Sequence, residues 1–198
     1  MRMKSEARRE AILDIALDLF CEVGFEAASM SQIAARLGGS KATLYNYFSS
    51  KEELLLEALL ASEDKYHQEM QLLLQQSNDI FTQLHSFVVS LLKVLNSPKV
   101  IQVLRVAISV GGTSDIGRRF HEGSYKTWLA IADLLHKEMN KRGIHIENTH
   151  LMAMHLRDLC QTDLICNLLG AGTEMTDEQV EQKAAYIVEI FFHTYSIK

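Results

Sequence analysis

Residues 40–51 read SKATLYNYFSSK, and their side chains offer hydroxyls at Ser40, Thr43, Tyr45 and Tyr47, an amide at Asn46 and ammonium groups at Lys41 and Lys51. The stretch has no carboxylate and no imidazole, so it has no acid or base to activate a nucleophile. Its groups donate hydrogen bonds to an anion. Tyrosine and serine hydroxyls reach phosphate oxygens without a large positive charge, and a lysine can donate to the O6 or N7 of guanine. The small residues Ser40, Ala42 and Thr43 would let a backbone lie close to a groove, and Ala42 can touch a thymine methyl.

Such groups need a short exposed helix to present them. Gly38 and Gly39 break the chain, Ser40 stands as an N-cap, and Leu44 and Phe48, four apart, form one inward edge. The preceding segment SMSQIAARLGG has Ser29 three residues before Gln32, a capping-box spacing, and Ile33, Ala34 and Leu37 as its apolar stripe. Ahead of it, Ile12, Ile15, Ala16, Leu19, Phe20 and Val23 recur at helical spacing, and Gly24 ends that helix. Ser50 and Glu53 make a second capping-box spacing and start a long fourth helix. Two short helices joined by a glycine turn, the second exposing polar groups, form a helix-turn-helix.

About fifty residues, REAILDIALDLFCEVGFEAASMSQIAARLGGSKATLYNYFSSKEELLLEAL, resemble the DNA-binding domain of the TetR family of transcriptional regulators. The landmarks are the Ile-x-x-x-Ala-x-x-Leu-Phe first helix, the Gly-Phe turn, the Ile-Ala pair and TLYNYFSSKEELL. The remainder resembles the AefR-type C-terminal subgroup, through weaker landmarks in LHKEMNKRGIHIENTHLMA. The resemblance implies a helix-turn-helix DNA-binding domain over 1–51 and a ligand-binding and dimerisation domain over 52–198. It implies phosphate contacts at Ser29, Thr43, Tyr45, Tyr47 and Lys51, with Ser31, Lys41, Ala42 and Asn46 as the candidates for reading bases. Lys51 would add the positive end of the fourth helix. Gly39 departs from the family pattern, in which a branched apolar residue is commoner, and the turn is expected to be looser for it.

Composition is consistent with this. The chain has 198 residues, 47% hydrophobic and 23% charged, with a single proline, and apolar residues recur at threes and fours almost throughout, so an all-α fold of about nine helices is expected. The formal net charge is -5, but residues 1–51 balance at +1 and residues 52–198 at -6. The front quarter alone is not repelled by a polyanion. In it Arg2, Lys4, Arg8 and Arg9 gather at the N-terminus. No apolar run reaches the roughly 18–20 residues that span a bilayer, the first ten residues do not form a secretory signal, and Cys21, Cys160 and Cys166 read as reduced thiols, so no membrane partner and a cytoplasmic location are expected.

Helices are expected from Lys51 to about Gln76, over 78–96, after Pro98 to the Gly111-Gly112 pair, from about Ser114 to Gly143, as one penultimate helix from Asn148 to the glycines at 170 and 172, and over Thr176–Tyr195. Residues 151–169 are apolar nearly all round, and the last helix is apolar on more than one side. These features predict a homodimer in which Leu164, Leu168, Ile187, Phe191 and Tyr195 meet a second subunit. The resemblance implies an unknown small-molecule effector. Arg105, Tyr125, Trp128 and His155 are the candidate contacts, polar or flat groups set among apolar ones.

No cofactor and no metal are expected: Glu147/His150 and Asp64/His67 have the carboxylate–histidine spacing of di-iron bundles, which need two such helices plus two further glutamates, but the first straddles an expected helix start and the second lies on an exposed-looking segment. No catalytic residues are expected either, since G-x-S-x-G and phosphate-loop motifs are missing and His155, Asp158 and Cys160 cannot share one helical face. The expected function is a repressor that binds a palindromic operator as a dimer and leaves it when the effector binds. Two alternatives stay open on sequence: a helical protein-interaction module that has lost DNA binding, and a helical-bundle metalloprotein.

Overall fold

The computed structural model describes residues 2–75, 77–112, 115–145 and 147–197, with side chains from residue 6 onward. Gln76 and Ser114, taken above as helix limits, and the side chains of Arg2 and Lys4 lie outside that description. Among the described residues there are ten helices and no strand: α1 Arg2–Val23, α2 Met30–Arg36, α3 Lys41–Tyr45, α4 Lys51–Gln75, α5 Ile80–Leu95, α6 Pro98–Gly111, α7 Ile116–Lys141, α8 Thr149–Cys160, α9 Leu164–Leu168 and α10 Asp177–Thr194. No single helix among them is long and apolar enough to cross a membrane.

The chain divides into two compact units. The first holds residues 1–65 and 102–123, the second 66–101 and 124–198, so the division falls inside α4, α6 and α7. It does not follow position 51, and packing supplies the reason. Leu54, Leu55, Leu56, Ala58 and Leu59 of α4, with Val103, Val106 and Ala107 of α6, are buried in the same cluster as Ile12, Phe20, Ile33, Leu44 and Phe48. The first three helices leave one side of that core uncovered, and the later segments close it. Val23, assigned above to the inner stripe of α1, is 43% exposed, while Leu13 and Leu17 are buried.

The second unit has its own core. α10 packs on α5 and α8, and Leu84, Phe87, Val88, Trp128, Ile131, Leu135, Met152, Leu156, Ile187, Val188 and Phe191 form one cluster with their neighbours. The penultimate segment is two helices, which corrects the single helix read from sequence. Gln161 caps the end of α8 by donating to the Arg157 and Asp158 carbonyls, and the chain turns before α9 begins at Leu164. Asn167 Nδ2 then donates to Asn96 Oδ1 at 3.2 Å and lies 3.4 Å from the Leu95 carbonyl, joining α9 to the end of α5. Thr176 and Gln179 start α10 with a complete capping box.

Candidate nucleic-acid interface

The helix-turn-helix is built by local chemistry. Ser29 accepts from the Gln32 amide at 3.3 Å, and Ser40 accepts from the Thr43 amide at 3.1 Å, so α2 and α3 each start with an orphan donor satisfied. Gly24 and Gly38 have φ of 82° and 65°, the left-handed conformation that lets a helix end and the chain reverse. The two other capping-box spacings are completed differently from expectation. The Gln32 side chain accepts the Ser29 hydroxyl at 2.8 Å, and Glu53 reaches past Ser50 to the Ser49 amide at 2.6 Å. The Ser49 hydroxyl and, after it, the Ser49 amide donate to the Glu53 carboxyl and hold it below its ordinary pKa.

α3 turns on one anchor. Leu44 is fully buried and Phe48 nearly so, while Lys41, Ala42, Tyr45 and Asn46 are exposed and Thr43 and Tyr47 half-buried. Lys41 Nζ lies 5.8 Å from the centre of the Tyr45 ring, four residues on, so a cation and a hydroxyl-bearing ring stand together on the outer face. Ser31 is exposed on α2 and Ser29 is half-buried. The Tyr47 ring sits 6.4 Å from that of Phe48 and packs against the unit's core, so less of it than of Tyr45 reaches solvent.

Lys51 is placed differently from a free phosphate ligand. Its ammonium donates to the carbonyls of Phe25 at 2.8 Å and Ala28 at 3.1 Å, lies 3.4 Å from the Glu26 carbonyl, and stands 4.3 Å from the Phe25 ring centre. It ties down the α1–α2 loop that leads into Ser29. The neighbouring helices are fixed by ion pairs: Arg36 bridges Glu22 through two bonds, and Arg9 meets Glu57 at 2.5 Å with its guanidinium 5.4 Å from the Phe48 ring. The Arg36 bonds lower the Glu22 pKa and raise that of Arg36.

The four residues proposed above for effector contact differ in exposure and in partners. Arg105 is exposed on α6, in the first unit. Trp128 is 7% exposed and packs edge-on against Phe87 with centroids 5.6 Å apart, as a core residue does. The Tyr125 hydroxyl is hydrogen-bonded to His150 Nε2. His155 is exposed on α8 and pairs its Nδ1 with the Tyr195 hydroxyl at 2.5 Å. Sequence reasoning missed a further polar pair in this unit, His67 Nδ1 with the buried Thr127 hydroxyl at 2.9 Å. The only signal for it was polar residues in apolar stretches. His67 and His150, the histidines of the two carboxylate–histidine spacings, each have one ring nitrogen paired with a hydroxyl.

Two residues expected at the subunit contact are interior to this chain. Ile187 is 4% and Phe191 1% exposed, because α10 turns that stripe onto α5 and α8. Leu164, Leu168 and Tyr195 are half-buried. The large apolar side chains left in solvent on these helices are Leu151, Ile165, Leu169 and Tyr186, at 48%, 65%, 79% and 64%.

A small, doubly capped helix held by one leucine edge and presenting a cation, hydroxyls and an amide defines a helix-turn-helix DNA-binding protein. Residues 12–58 match the family described as bacterial regulatory proteins, tetR family, and residues 82–197 match the AefR-like transcriptional repressor C-terminal domain. The chain belongs to the tetR family of bacterial regulatory proteins. The regulator YdeS of Bacillus subtilis is 38% identical over 61 residues, which are 31% of each chain, so the chain spans under a third of that relative in this match. BetI of Escherichia coli is 28% identical over 180 residues, 90% of this chain and 75% of BetI. A TetR-family regulator from Mesorhizobium loti shares the fold at a TM-score of 0.86 and 22% identity, over 96% of this chain and 97% of that one.

Proposed function

We propose that the protein is a cytoplasmic one-component repressor that binds a palindromic DNA operator as a homodimer and is released by a small molecule held in its second unit. The observation that carries this reading is α3 itself: of its five residues only Leu44 is buried, and the rest stand where a groove would meet them. Lys41, Ala42, Ser31 and Asn46 read base edges, while Ser29, Thr43, Tyr45 and Tyr47 donate to phosphates. Lys51 acts on the backbone through the α1–α2 loop it holds and through the α4 amides. The match to a repressor-type C-terminal domain supports repression over activation.

The second subunit is met through the apolar side chains that α8, α9 and α10 leave in solvent, Ile165, Leu169 and Tyr186 above all, flanked by Leu164, Leu168 and Tyr195. Two α3 helices about one DNA turn (roughly 34 Å) apart then address both halves of the palindrome. The effector works by preferring the dimer whose recognition helices are wrongly spaced, and a differential affinity of about 1–3 kcal/mol is the usual scale of such coupling. Its polar contacts come from the His67–Thr127 and Tyr125–His150 pairs set in the apolar second unit.

Enrichment of duplexes from a random pool tests the reading. A two-fold-symmetric site is expected, and Lys41→Ala should flatten its sequence preference more than it weakens binding to random DNA. Equal losses on both duplexes would remove the base-reading role. Leu169→Asp should give monomers by light scattering and abolish binding to the full palindrome.

A further inference from the structure

The α2–α3 turn has an unusual neighbour. A Cβ built on Gly39 would lie 3.2 Å from Arg8 Nη2 and 3.9 Å from Leu37 Cδ2, so the guanidinium at the start of α1 occupies the room that this glycine leaves. Gly39 is not among the residues with positive φ, so backbone conformation does not demand glycine there. What glycine supplies is space, one residue before the N-cap of α3.

Arg8 differs from most of the described arginines in its surroundings, and from Arg119, whose side chain also makes no ion pair with the described residues, in being half-buried rather than exposed. Arg9 meets Glu57, Arg36 meets Glu22, Arg118 meets Asp115 and Glu122, Arg142 meets Glu138, and Arg157 meets Asp158. Arg8 is half-buried, yet forms no ion pair or hydrogen bond with the described residues. A guanidinium carries five donors in a rigid fork and matches the oxygens of a phosphate group. A partly desolvated cation with no counter-charge among the described residues favours the approach of an anion. The anion that approaches this turn, if α3 enters a groove, is the DNA backbone.

We propose that Arg8 is a phosphate ligand of the operator, delivered to the α2–α3 turn through the gap at Gly39. This rests on the DNA-binding reading above and adds to it a contact made by α1 from outside the helix-turn-helix. Gly39 thereby trades the packing of a side chain for a charge beside the recognition helix.

The test uses the full chain and two labelled duplexes, one of random sequence and one recovered by the wild type from a random pool, each long enough for both half-sites. Arg8→Gln should weaken binding to both by the same factor, about tenfold at low salt. The slope of log K against log salt should shrink by about 1.8, for two phosphates per dimer at about 0.9 each. Gly39→Val should move the guanidinium aside and reproduce part of that loss, and the double variant should bind no worse than Arg8→Gln alone. Arg8→Lys should keep the slope, which also guards against a folding defect in the glutamine variant. An unchanged slope in Arg8→Gln, or losses that add fully in the double variant, overturns the proposal. Wild-type protein with no salt-dependent affinity for either duplex would instead remove the DNA-binding reading itself, and this inference with it.

Discussion

Helices α3 and α10 each begin with a hydroxyl N-cap, at Ser40 and Thr176, but they use their residues in opposite ways. α3 has five residues and buries one, so a single leucine sets its rotation and all other sides remain available. α10 has eighteen residues and buries Val180, Ala184, Ile187, Val188 and Phe191, so its rotation is fixed by five contacts along one stripe. A lone anchor on a short capped helix predicts the outer face well, because little else can pack. A long helix with apolar groups on several sides predicts burial without saying against what, since packing inside the chain and packing against another chain would leave the same sequence pattern.

Truncating both anchors breaks or confirms that contrast with the largest effect. Leu44→Ala and Phe191→Ala should each cost about 3–5 kcal/mol in denaturant melts. The Phe191→Ala loss should be independent of protein concentration, because the ring is interior to one chain. A loss that grows on dilution would return Phe191 to the subunit contact.

A second comparison concerns a carboxylate caught in packing on α4. Burial, with the Asp64 charge adding to it, pushes the Glu63 carboxyl up to about 7 from an ordinary 4.5. Between those two values the folded chain keeps a proton that the unfolded chain has released. Stability therefore falls as pH rises through that window and stays lowered above it. Glu63→Gln should raise the unfolding free energy on the order of 2 kcal/mol at about pH 8 and change little near pH 4, read from melts at both values.

The helix caps give a smaller effect. Ser40→Ala should destabilise the first unit by about 1 kcal/mol by thermal melting, since α3 has few other sources of order. The smallest expected change is Tyr45→Phe. It should leave the melting temperature unaltered, because Tyr45 is 47% exposed, and weaken binding to random and selected duplexes alike by a few-fold, about 0.5–1.5 kcal/mol in a gel-shift titration.

What could be read in advance follows the range of the interaction. The hydroxyl caps at Ser29, Ser40 and Thr176, the turn glycines Gly24 and Gly38, and the inward pair Leu44 and Phe48 depend on residues within about four positions, and each is visible in the chain itself. The break at 161–163 was hidden because CQTDLIC has neither glycine nor proline. It is made by Gln161 bonding back to α8 and by Asn167 tying α9 to α5, a contact across seventy-one positions. The ammonium of Lys51 on the 25–28 loop and the guanidinium of Arg8 beside Gly39 are similarly distant in sequence. The partners of polar groups set in apolar helices were the least legible, because such a group looks the same whether it meets a ligand or a neighbouring hydroxyl. Thr127 and His67 satisfy each other, and neither announces it locally.

One consequence of the Asn167 tie concerns how the chain tolerates variation. A Cβ at Gly172 would fall 1.8 Å from Asn167 Oδ1 and 3.2 Å from the Asn167 Cα, so any substituent at 172 must evict the amide that fastens α9. The glycine looks dispensable in an exposed, coil-like stretch that a mutational library would be expected to accept freely. It should instead be among the least forgiving positions of the last thirty residues, and the penalty should surface as loosening of α9 from the end of α5 before any wider loss of helix content.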